Sequence, residues 1–439
     1  MPRTPQLTLA VTLLLVSAGP TASAQPLEEV FNQLLGSSSR AAAAQSDADM
    51  VRDRADESYL RSWRPNIEIS AEVGQQHYNT DTTVDPEFSG YDRISLRATQ
   101  LVYDFGRKDS EVAEARTVAE QNQVLADSTA QGVLLDGLSA HWSVISAQKV
   151  LDFARESEEK VRNQTSLESS MVELGKGYES DVLQAKVQLA TAEARRNRAE
   201  GALEIAQARV TAVFGELAPE VSYERASYSR VELIPQSLDE AKQLALENNK
   251  QIQVGVYRSQ AIRSRMSRVY AQDFRPFIQM VGEYARRDDM DGTPGQIDDA
   301  KVSLQLQYNF NAANAGDAAV STVANELRAS EQREKETLYL VLEQVTVAWR
   351  NLMVARNNRN VLQNQVNIAS HYLQMATDER QIGRRTLLDL LSAEMSLINA
   401  QSDLTTTEAD QAIASLTLLQ AIGLLDLDSI EFRAITSGN

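Results

Sequence analysis

Two short stretches of this chain place an acidic side chain at a fixed distance from a glycine. Gly175–Ala185 and Gly383–Ala393 each have an Asp six residues after the Gly, followed by two aliphatic residues, one polar residue and an Ala. A Gly inside a helix costs about 1 kcal/mol relative to Ala, and its usual benefit is to let the chain turn. Each stretch therefore predicts the tip of a helical hairpin with a carboxylate, Asp181 or Asp389, beside it. A kink in one continuous helix is the alternative.

The other reactive side chains form no recognisable catalytic or metal-binding motif. His77, His141 and His371 are isolated in the sequence, and neither a His-Glu-x-x-His motif nor a phosphate-binding glycine-rich loop occurs. The chain has no Cys, which excludes disulfides, thiolate catalysis and thiolate metal sites. We therefore expect no enzymatic activity, no cofactor and no bound metal.

The N-terminus has the three parts of a secretory signal peptide. Arg3 precedes an apolar run, Leu7–Val16, and small residues follow at Ala22–Ala24, which predicts a leader over residues 1–24 with cleavage before Gln25. The run is short for a membrane anchor, and no later segment has eighteen consecutive apolar residues. The net charge of −18 disfavours nucleic acid or an anionic lipid surface as the main partner. The exported chain is thus expected either to be soluble or to enter a membrane as strands.

A helical pattern occurs twice with equal length. The first copy runs from Leu27 to Trp63 and is stopped by Pro65, and the second runs from Leu238 to Phe274 before Pro276. Equal lengths at two places indicate a duplicated unit.

After each of these prolines the apolar residues alternate with polar ones, which is typical of strands. We predict β-hairpins at about 65–105 and 276–310, with polar loops at Asn79–Tyr91 and Arg286–Gln296. Strands of about 9–11 residues suit a tilted membrane strand. Four strands cannot close a barrel, so other copies of the chain would have to complete it in lipid. The alternative is a soluble sheet lying against the helices.

Long proline-free helices follow each hairpin. The first is predicted from Arg107 to a tip at Gly175, about 100 Å at 1.5 Å per residue, and the second from Asn311 to Gly383. Shorter helices return to Gly215 and Gly423. We expect the initial helix of the other repeat to stack end to end on each returning helix. The narrow, Ala-rich apolar stripes favour coiled-coil packing, so the fold class is mainly α with β-hairpins.

These elements divide the chain into a leader, two repeats and two linking segments. The predicted boundaries are 1–24 for the signal peptide, 25–215 for the first repeat, 216–237 for a connector, 238–423 for the second repeat and 424–439 for a tail. The connector and the tail occupy equivalent positions and are expected to lie together around the waist of the helical part.

The arrangement resembles the TolC-like outer membrane efflux protein family over essentially the whole mature length. Ile382–Ala393 is similar to the family signature Val-Gly-x-x-Thr-x-x-Asp-Val-Leu-x-Ala, and Tyr103–Gly106 resembles the end of the family's second strand. The resemblance implies a homotrimer with a twelve-stranded β-barrel in the outer membrane of a Gram-negative cell, continuous with a twelve-helix α-barrel across the periplasm. It implies a passive channel of a tripartite efflux or type I secretion system, working with a periplasmic adaptor and an inner membrane transporter.

The resemblance also implies roles for residues at the tips. Three copies of Asp181 and of Asp389 would form an acidic ring that repels anions. Arg385 corresponds to a family arginine that ties neighbouring helices shut, and Asp181 is its expected partner. The residues expected to contact the adaptor are Gly175, Lys176, Gly177, Tyr178, Gly383, Arg384 and Thr386. The alternative is that both Asp residues are ordinary solvated acids.

Two departures from the family pattern predict an altered gate. Ser392 stands where some members have a second acid, and Arg380 stands where some have Tyr. A soluble periplasmic coiled-coil scaffold or adaptor protein is the remaining alternative for the whole chain, since it would also have a leader, long helices and a tip.

Overall fold

A computed structural model describes most of the chain. The described residues are 27–77, 88–220, 226–227, 234–290, 295–308, 315–427, 430 and 433–434. The predicted signal peptide, residues 1–24, lies outside them.

Eight α-helices occur in the described part of the chain, and their lengths repeat in order. They are α1 Leu27–Ser37, α2 Ser39–Trp63, α3 Arg107–Glu173, α4 Glu179–Phe214, α5 Leu238–Asn248, α6 Lys250–Phe274, α7 Ala315–Gln381 and α8 Leu387–Ile422. The first four have 11, 25, 67 and 36 residues, and so do the last four. The 67-residue helices α3 and α7 are therefore about 100 Å long. Within the described ranges, no helix combines the length and hydropathy needed to cross a bilayer.

Each initial helix is interrupted, where the sequence predicted one continuous segment. Ser38 separates α1 from α2 and accepts a hydrogen bond from the Ala41 backbone, while Asn249 separates α5 from α6 and accepts from Gln251 and Ile252. Both residues have extended backbone angles. Short polar side chains bond to backbone N–H groups in this way and start a new helix inside a helical pattern.

The initial helices stack on the returning helix of their own repeat, so the prediction that they stack on the other repeat is wrong. The ring of Phe31 in α1 meets that of Phe214 at the end of α4, with centroids 5.5 Å apart. The Asn249 side chain donates to the Ala421 carbonyl near the end of α8 at 2.8 Å. The breaks at Ser38 and Asn249 allow this, because they give α1 and α5 directions of their own.

Four strands form one antiparallel sheet in the order β1-β2-β4-β5. They are β1 Asn66–His77, β2 Phe88–Tyr103, β4 Phe277–Asp288 and β5 Gln296–Gln307. The two hairpins are joined through β2 and β4. A second sheet pairs β3, Ala226–Ser227, with β6, Arg433–Ala434. It brings the connector and the tail together, as expected from the sequence.

The strand boundaries differ from those predicted. Strand β2 starts within the predicted loop Asn79–Tyr91, and β4 extends into the predicted loop Arg286–Gln296. The strands have 12 or 16 residues instead of 9–11. Hydrogen bonding between neighbouring strands continues past the last apolar residues, because backbone N–H and C=O groups pair regardless of the side chain of the residue. Strand β5 ends at Gln307, and residues 309–314 lie outside the described part.

The largest apolar core lies at the waist of the helical part. There the ends of α1, α4, α5 and α8 pack against the middle of α3 and of α7. The two 67-residue helices are thus fixed at their centres, and their far ends extend to the sheet in one direction and to the tips in the other.

Candidate functional site

The first tip is a helix end of the Schellman type. Gly175 has a φ of 70°, in the left-handed region that favours glycine. Its N–H donates to the Val172 carbonyl at 2.9 Å, and the Lys176 N–H donates to the Met171 carbonyl at 2.8 Å. These bonds end α3 and turn the chain into α4, which excludes the alternative of a kink.

The second tip repeats this geometry. Gly383 has a φ of 74°. Its N–H and that of Arg384 donate to the carbonyls of Arg380 and Glu379, both at 2.9 Å. The glycine motif therefore marks the bend of a helical hairpin in both copies.

Asp389 and Thr386 cap each other at the start of α8. The Asp389 N–H donates to Thr386 Oγ1 at 3.2 Å, and the Thr386 hydroxyl and N–H donate to Asp389 Oδ2 at 2.7 and 3.4 Å. This capping box satisfies backbone donors that the first helical turn would otherwise expose. The hydrogen bond from Thr386 holds the pKa of Asp389 below its usual range. Asp389 is thus an exposed, ionised carboxylate in a fixed position.

Arg385 is held within its own hairpin and does not pair with Asp181 in the chain. Its Nε donates to Glu379 Oε2 at 2.6 Å, its Nη1 donates to the Tyr372 hydroxyl at 2.9 Å, and its guanidinium lies 5.1 Å from the Tyr372 ring centroid. The bond to Glu379 is the main cause that raises the pKa of Arg385. The turn at Gly383 places Arg385 beside the last turns of α7, which is why these partners are local.

Asp181 lies in the first turn of α4, in the equivalent position of the first tip. Its N–H donates to the Tyr178 carbonyl at 3.0 Å, and the Tyr178 side chain is 77 % exposed. Among the described residues Asp181 has no ion pair, and Lys176 in the preceding turn is exposed. The structure therefore brings Thr386, Asp389 and Arg385 together at one tip and leaves Asp181 at the other.

The two tips are joined by an ion pair that the sequence did not predict. The Arg380 guanidinium in α7 donates to the Glu168 carboxylate in α3, and the Glu168 side chain is only 4 % exposed. Arg380 also donates to the Arg385 carbonyl at 3.2 Å. Arg380 was noted as a departure from the family pattern, but no local sequence signal points to Glu168, which lies 212 residues away.

Apolar contacts and a second ion pair also join the two hairpins further from the tips. Leu387 and Leu391 of α8 pack with Val161 of α3 and with small residues of α4. Lys160 lies 3.6 Å from the buried Glu394 carboxylate. Burial raises the pKa of Glu394, because a charged carboxylate loses hydration there. The two hairpins are thus packed side by side along a defined interface.

At the opposite end of the molecule, one face of the sheet is apolar and uncovered. Val73, Val302 and Ile69 are 85, 78 and 74 % exposed, and Leu304 and Leu306 on the same face are exposed as well. No helix in the described part packs over these side chains. The alternative of a sheet lying against its own helices is therefore wrong.

The other face of the sheet is polar and cross-linked. The strand register aligns Glu68, Arg97, Glu283 and Lys301 in one row. The Glu283 carboxylate lies 3.2 Å from Arg97 and 3.5 Å from Lys301. Opposite charges on adjacent strands stabilise this face in contact with water. The described residues hold no cluster of side chains suited to a metal ion.

Comparison with protein families gives a match over both halves of the chain. The model of the family described as outer membrane efflux protein matches residues 30–216 and 241–424. These two segments include all eight helices in whole or in part, and the four-stranded sheet.

Individual proteins give the same result at low identity. The chain is 23 % identical over 374 residues to the outer membrane efflux protein BepC of Brucella suis, covering 84 % of this chain and 79 % of BepC. It is 21 % identical over 345 residues to the outer membrane protein TolC of Escherichia coli, covering 76 % of this chain and 69 % of TolC. The fold is similar to that of the outer membrane protein VceC of Vibrio cholerae, with a TM-score of 0.76 and 15 % identity, over 90 % of this chain and 96 % of VceC.

Proposed function

Because this chain belongs to the outer membrane efflux protein family, we propose that three copies assemble into a continuous duct through the outer membrane and the periplasm. The resemblance noted in the sequence is confirmed by the family match, and the function is that of an outer membrane efflux channel. A soluble scaffold or adaptor finds no support among the proteins that are similar to this chain.

The observation that supports threefold assembly most strongly is the uncovered sheet. Its aliphatic face is exposed, while the opposite face carries the ion pairs of Glu283 with Arg97 and Lys301. Exposed aliphatic side chains are stable in lipid, whereas unpaired strand edges are not. Strands β1 and β5 are the edges of the sheet formed by the described strands. Three sheets joined at these edges would make a closed twelve-stranded barrel with its polar face toward water.

The helical part would extend this barrel as a tunnel of twelve helices. Each chain supplies two columns from α3 and α7, and two from the stacked pairs α4 with α1–α2 and α8 with α5–α6. Stacking gives all four columns comparable length, so three chains can form a uniform wall. We also propose that residues 25–215 and 238–423 are two copies of one structural unit, which the repeated helix lengths support.

We propose that the tips form the gate. Asp389 is ionised and fixed by Thr386, and Asp181 occupies the matching turn of the other hairpin. Three copies of each would give an acidic constriction that favours cations. Arg385, held by Glu379 and Tyr372, would restrain the second hairpin, and Asp181 of a neighbouring chain would be its further partner.

The exposed turns would meet a periplasmic adaptor, which in turn would connect the channel to an inner membrane transporter. The residues assigned to this contact are Gly175, Lys176, Gly177, Tyr178, Gly383, Arg384 and Thr386. Adaptor binding would favour an open arrangement of the hairpins over the closed one by its difference in affinity for the two states. The channel itself would perform no chemistry and need no cofactor.

Single-channel recording in planar bilayers tests this function. We expect the purified protein to form stable pores, and Asp389→Ala or Arg385→Ser to raise the conductance or alter the cation preference. Arg359→Ser removes a positive charge far from the tips and is the matched control, since Arg359 pairs with Glu408 in α8. Unchanged conductance in both tip variants would defeat the gate assignment, and absence of any pore would defeat the channel.

A further inference from the structure

A recess of about 360 Å³ lies where the helices meet the sheet, between the ends of α3, α6 and α7. Its lining is mostly apolar and includes Phe105, Met266, Tyr270, Ala271, Arg275 and Val320. We propose that this recess binds one glycerophospholipid, with the lipid phosphate on Arg275 and the acyl chains on the adjoining aliphatic face of the sheet. This inference rests on the proposed function, because it requires the sheet to lie in a membrane, and it adds a lipid-binding site.

The recess continues the aliphatic face of the sheet. Tyr103 is the register partner of Ile278, so both side chains lie on one face. Met280 follows Ile278 by two residues and pairs with the exposed Leu304, so this face is the aliphatic one. The Tyr103 ring contacts the ring of Phe105, with centroids 4.6 Å apart. An apolar path therefore leads from the exposed aliphatic side chains into the recess.

An unusual backbone conformation holds the Phe105 ring at the recess. Phe105 has a φ of 57°, in the left-handed region that bulky side chains rarely adopt. The Asp104 carboxylate fixes this turn by accepting hydrogen bonds from the N–H groups of Gly106 and Lys108, at 3.2 and 2.8 Å. A glycine would adopt the same conformation without strain. Strained residues concentrate at binding sites, which supports a role for the Phe105 ring in holding a ligand.

Arg275 gives the recess a positive charge. In the described part of the chain Arg275 forms no ion pair, and no acidic side chain lines the recess. Its guanidinium lies 5.8 Å from the centroid of the Tyr270 ring, and that ring stacks on Phe274 at 5.2 Å. Guanidinium groups bind phosphate through two parallel hydrogen bonds, and aromatic rings favour the boundary between lipid and water. The recess therefore suits an anionic headgroup, although the whole chain has a net charge of −18.

The position of Arg275 along the chain matches the headgroup level of a bilayer. Arg275 lies two residues before β4, which begins at Phe277, and the side chains of β4 on the aliphatic face begin with Ile278. One leaflet of hydrocarbon is about 15 Å thick, which corresponds to about six residues of a strand tilted by about 40°. Acyl chains anchored beside Arg275 would therefore cover Ile278, Met280 and Gly282.

One chain supplies all the walls of the recess. Helix α6 packs against α3 and against α7 of the same chain. In the proposed threefold assembly a neighbouring copy is therefore not needed to complete the recess. We expect one such lipid for each chain of the channel.

Native mass spectrometry of the full-length protein, purified in mild detergent and stripped of lipid, measures this binding. The probes are phosphatidylglycerol, a diacylglycerol with the same acyl chains, and inorganic phosphate. We expect phosphatidylglycerol to bind at least about tenfold more tightly than diacylglycerol, because only the former can accept hydrogen bonds from Arg275 through a phosphate. Equal binding of diacylglycerol, or displacement of phosphatidylglycerol by inorganic phosphate, would overturn the proposal.

Two matched Arg variants test the contact with the headgroup. Arg275→Gln should weaken phosphatidylglycerol binding at least about tenfold, through loss of a charged hydrogen bond. Arg263→Gln is the control, since Arg263 is an exposed residue of the same helix that pairs with Glu331 outside the recess. It should bind phosphatidylglycerol like the natural chain. Unchanged binding in Arg275→Gln, or an equal loss in both variants, would contradict the site.

Phe105→Gly separates lipid binding from folding. Because glycine suits a φ of 57°, this variant should retain the thermal stability of the natural protein in detergent and bind phosphatidylglycerol several times more weakly. A loss of thermal stability with unchanged lipid binding would make Phe105 a packing residue and overturn its assignment to the recess. Pores in planar bilayers from protein that binds no phospholipid would overturn the site and leave the proposed channel intact.

Discussion

Loss of Arg380 should loosen the junction between the two tips. In the native chain its guanidinium contacts the Glu168 carboxylate, whose side chain is 4 % exposed while that of Arg380 is 32 % exposed. Removing one partner of a fully buried pair costs about 3–5 kcal/mol, and exposed pairs are worth about 0–1 kcal/mol. Water can reach Arg380, so we expect an effect between these limits. Arg380→Ala should lower the free energy of local opening by about 2 kcal/mol, which raises the opening equilibrium constant about 30-fold.

Hydrogen exchange at the backbone amides of the last turns of α3 and α7 measures this opening. Arg380→Ala and Glu168→Ala should each raise exchange about 30-fold, and the double variant should be no faster than the faster single variant, because both remove the same contact. Arg155→Ala is the matched control, since Arg155 and Glu200 form a pair with both side chains more than 40 % exposed. It should change exchange by less than about threefold. Fully additive effects of the two single substitutions would refute the coupling.

Three further predictions concern the second tip. Thr386→Ala should cost about 1 kcal/mol through loss of the helix cap, seen as faster exchange in the first turn of α8, while Thr386→Ser should retain it. Gly383→Ala should cost about 1–2 kcal/mol because Gly383 has a left-handed backbone, whereas Gly201→Ala in the middle of α4 should be neutral or stabilising; equal thermal shifts would contradict this. The folded protein lowers the pKa of Asp389. The ionised Asp389 carboxylate therefore makes its full contribution to stability above the ordinary carboxyl pKa of about 3.9, and this contribution is lost as the pH falls through the lowered pKa. Acid titration should therefore release the first turn of α8 in the native chain, and Asp389→Asn should remove that transition.

The sequence predicted the elements whose signal is periodic and continuous. Helices α3 and α7, the two hairpins and the glycine tips follow from proline-free stretches, alternation and a motif present twice. The breaks at Ser38 and Asn249 were missed, because a polar residue within a helical pattern has the same appearance in the sequence whether or not it caps a helix. The early start of β2 was missed because Gly90 and Tyr91 have the composition of a turn while their backbones pair with Gln75 and Gly74.

The contacts at the tips were less predictable. Arg385 was expected to reach Asp181, and within the chain it bonds to Glu379, because the left-handed turn at Gly383 folds it back on its own helix. The pair of Arg380 with Glu168 depends on how far the two hairpins slide along each other. No short-range pattern encodes that offset, since it is set by the packing of α8 against α3 and α4.

The number of chains in the membrane-extracted particle tests the central claim most directly. The chain presents an uncovered aliphatic sheet with two open edges, and we propose that three such sheets close on one another in lipid. Native mass spectrometry of the particle released from outer membranes by mild detergent should give the mass of three chains. A single folded chain that remains in aqueous buffer without detergent would contradict the account.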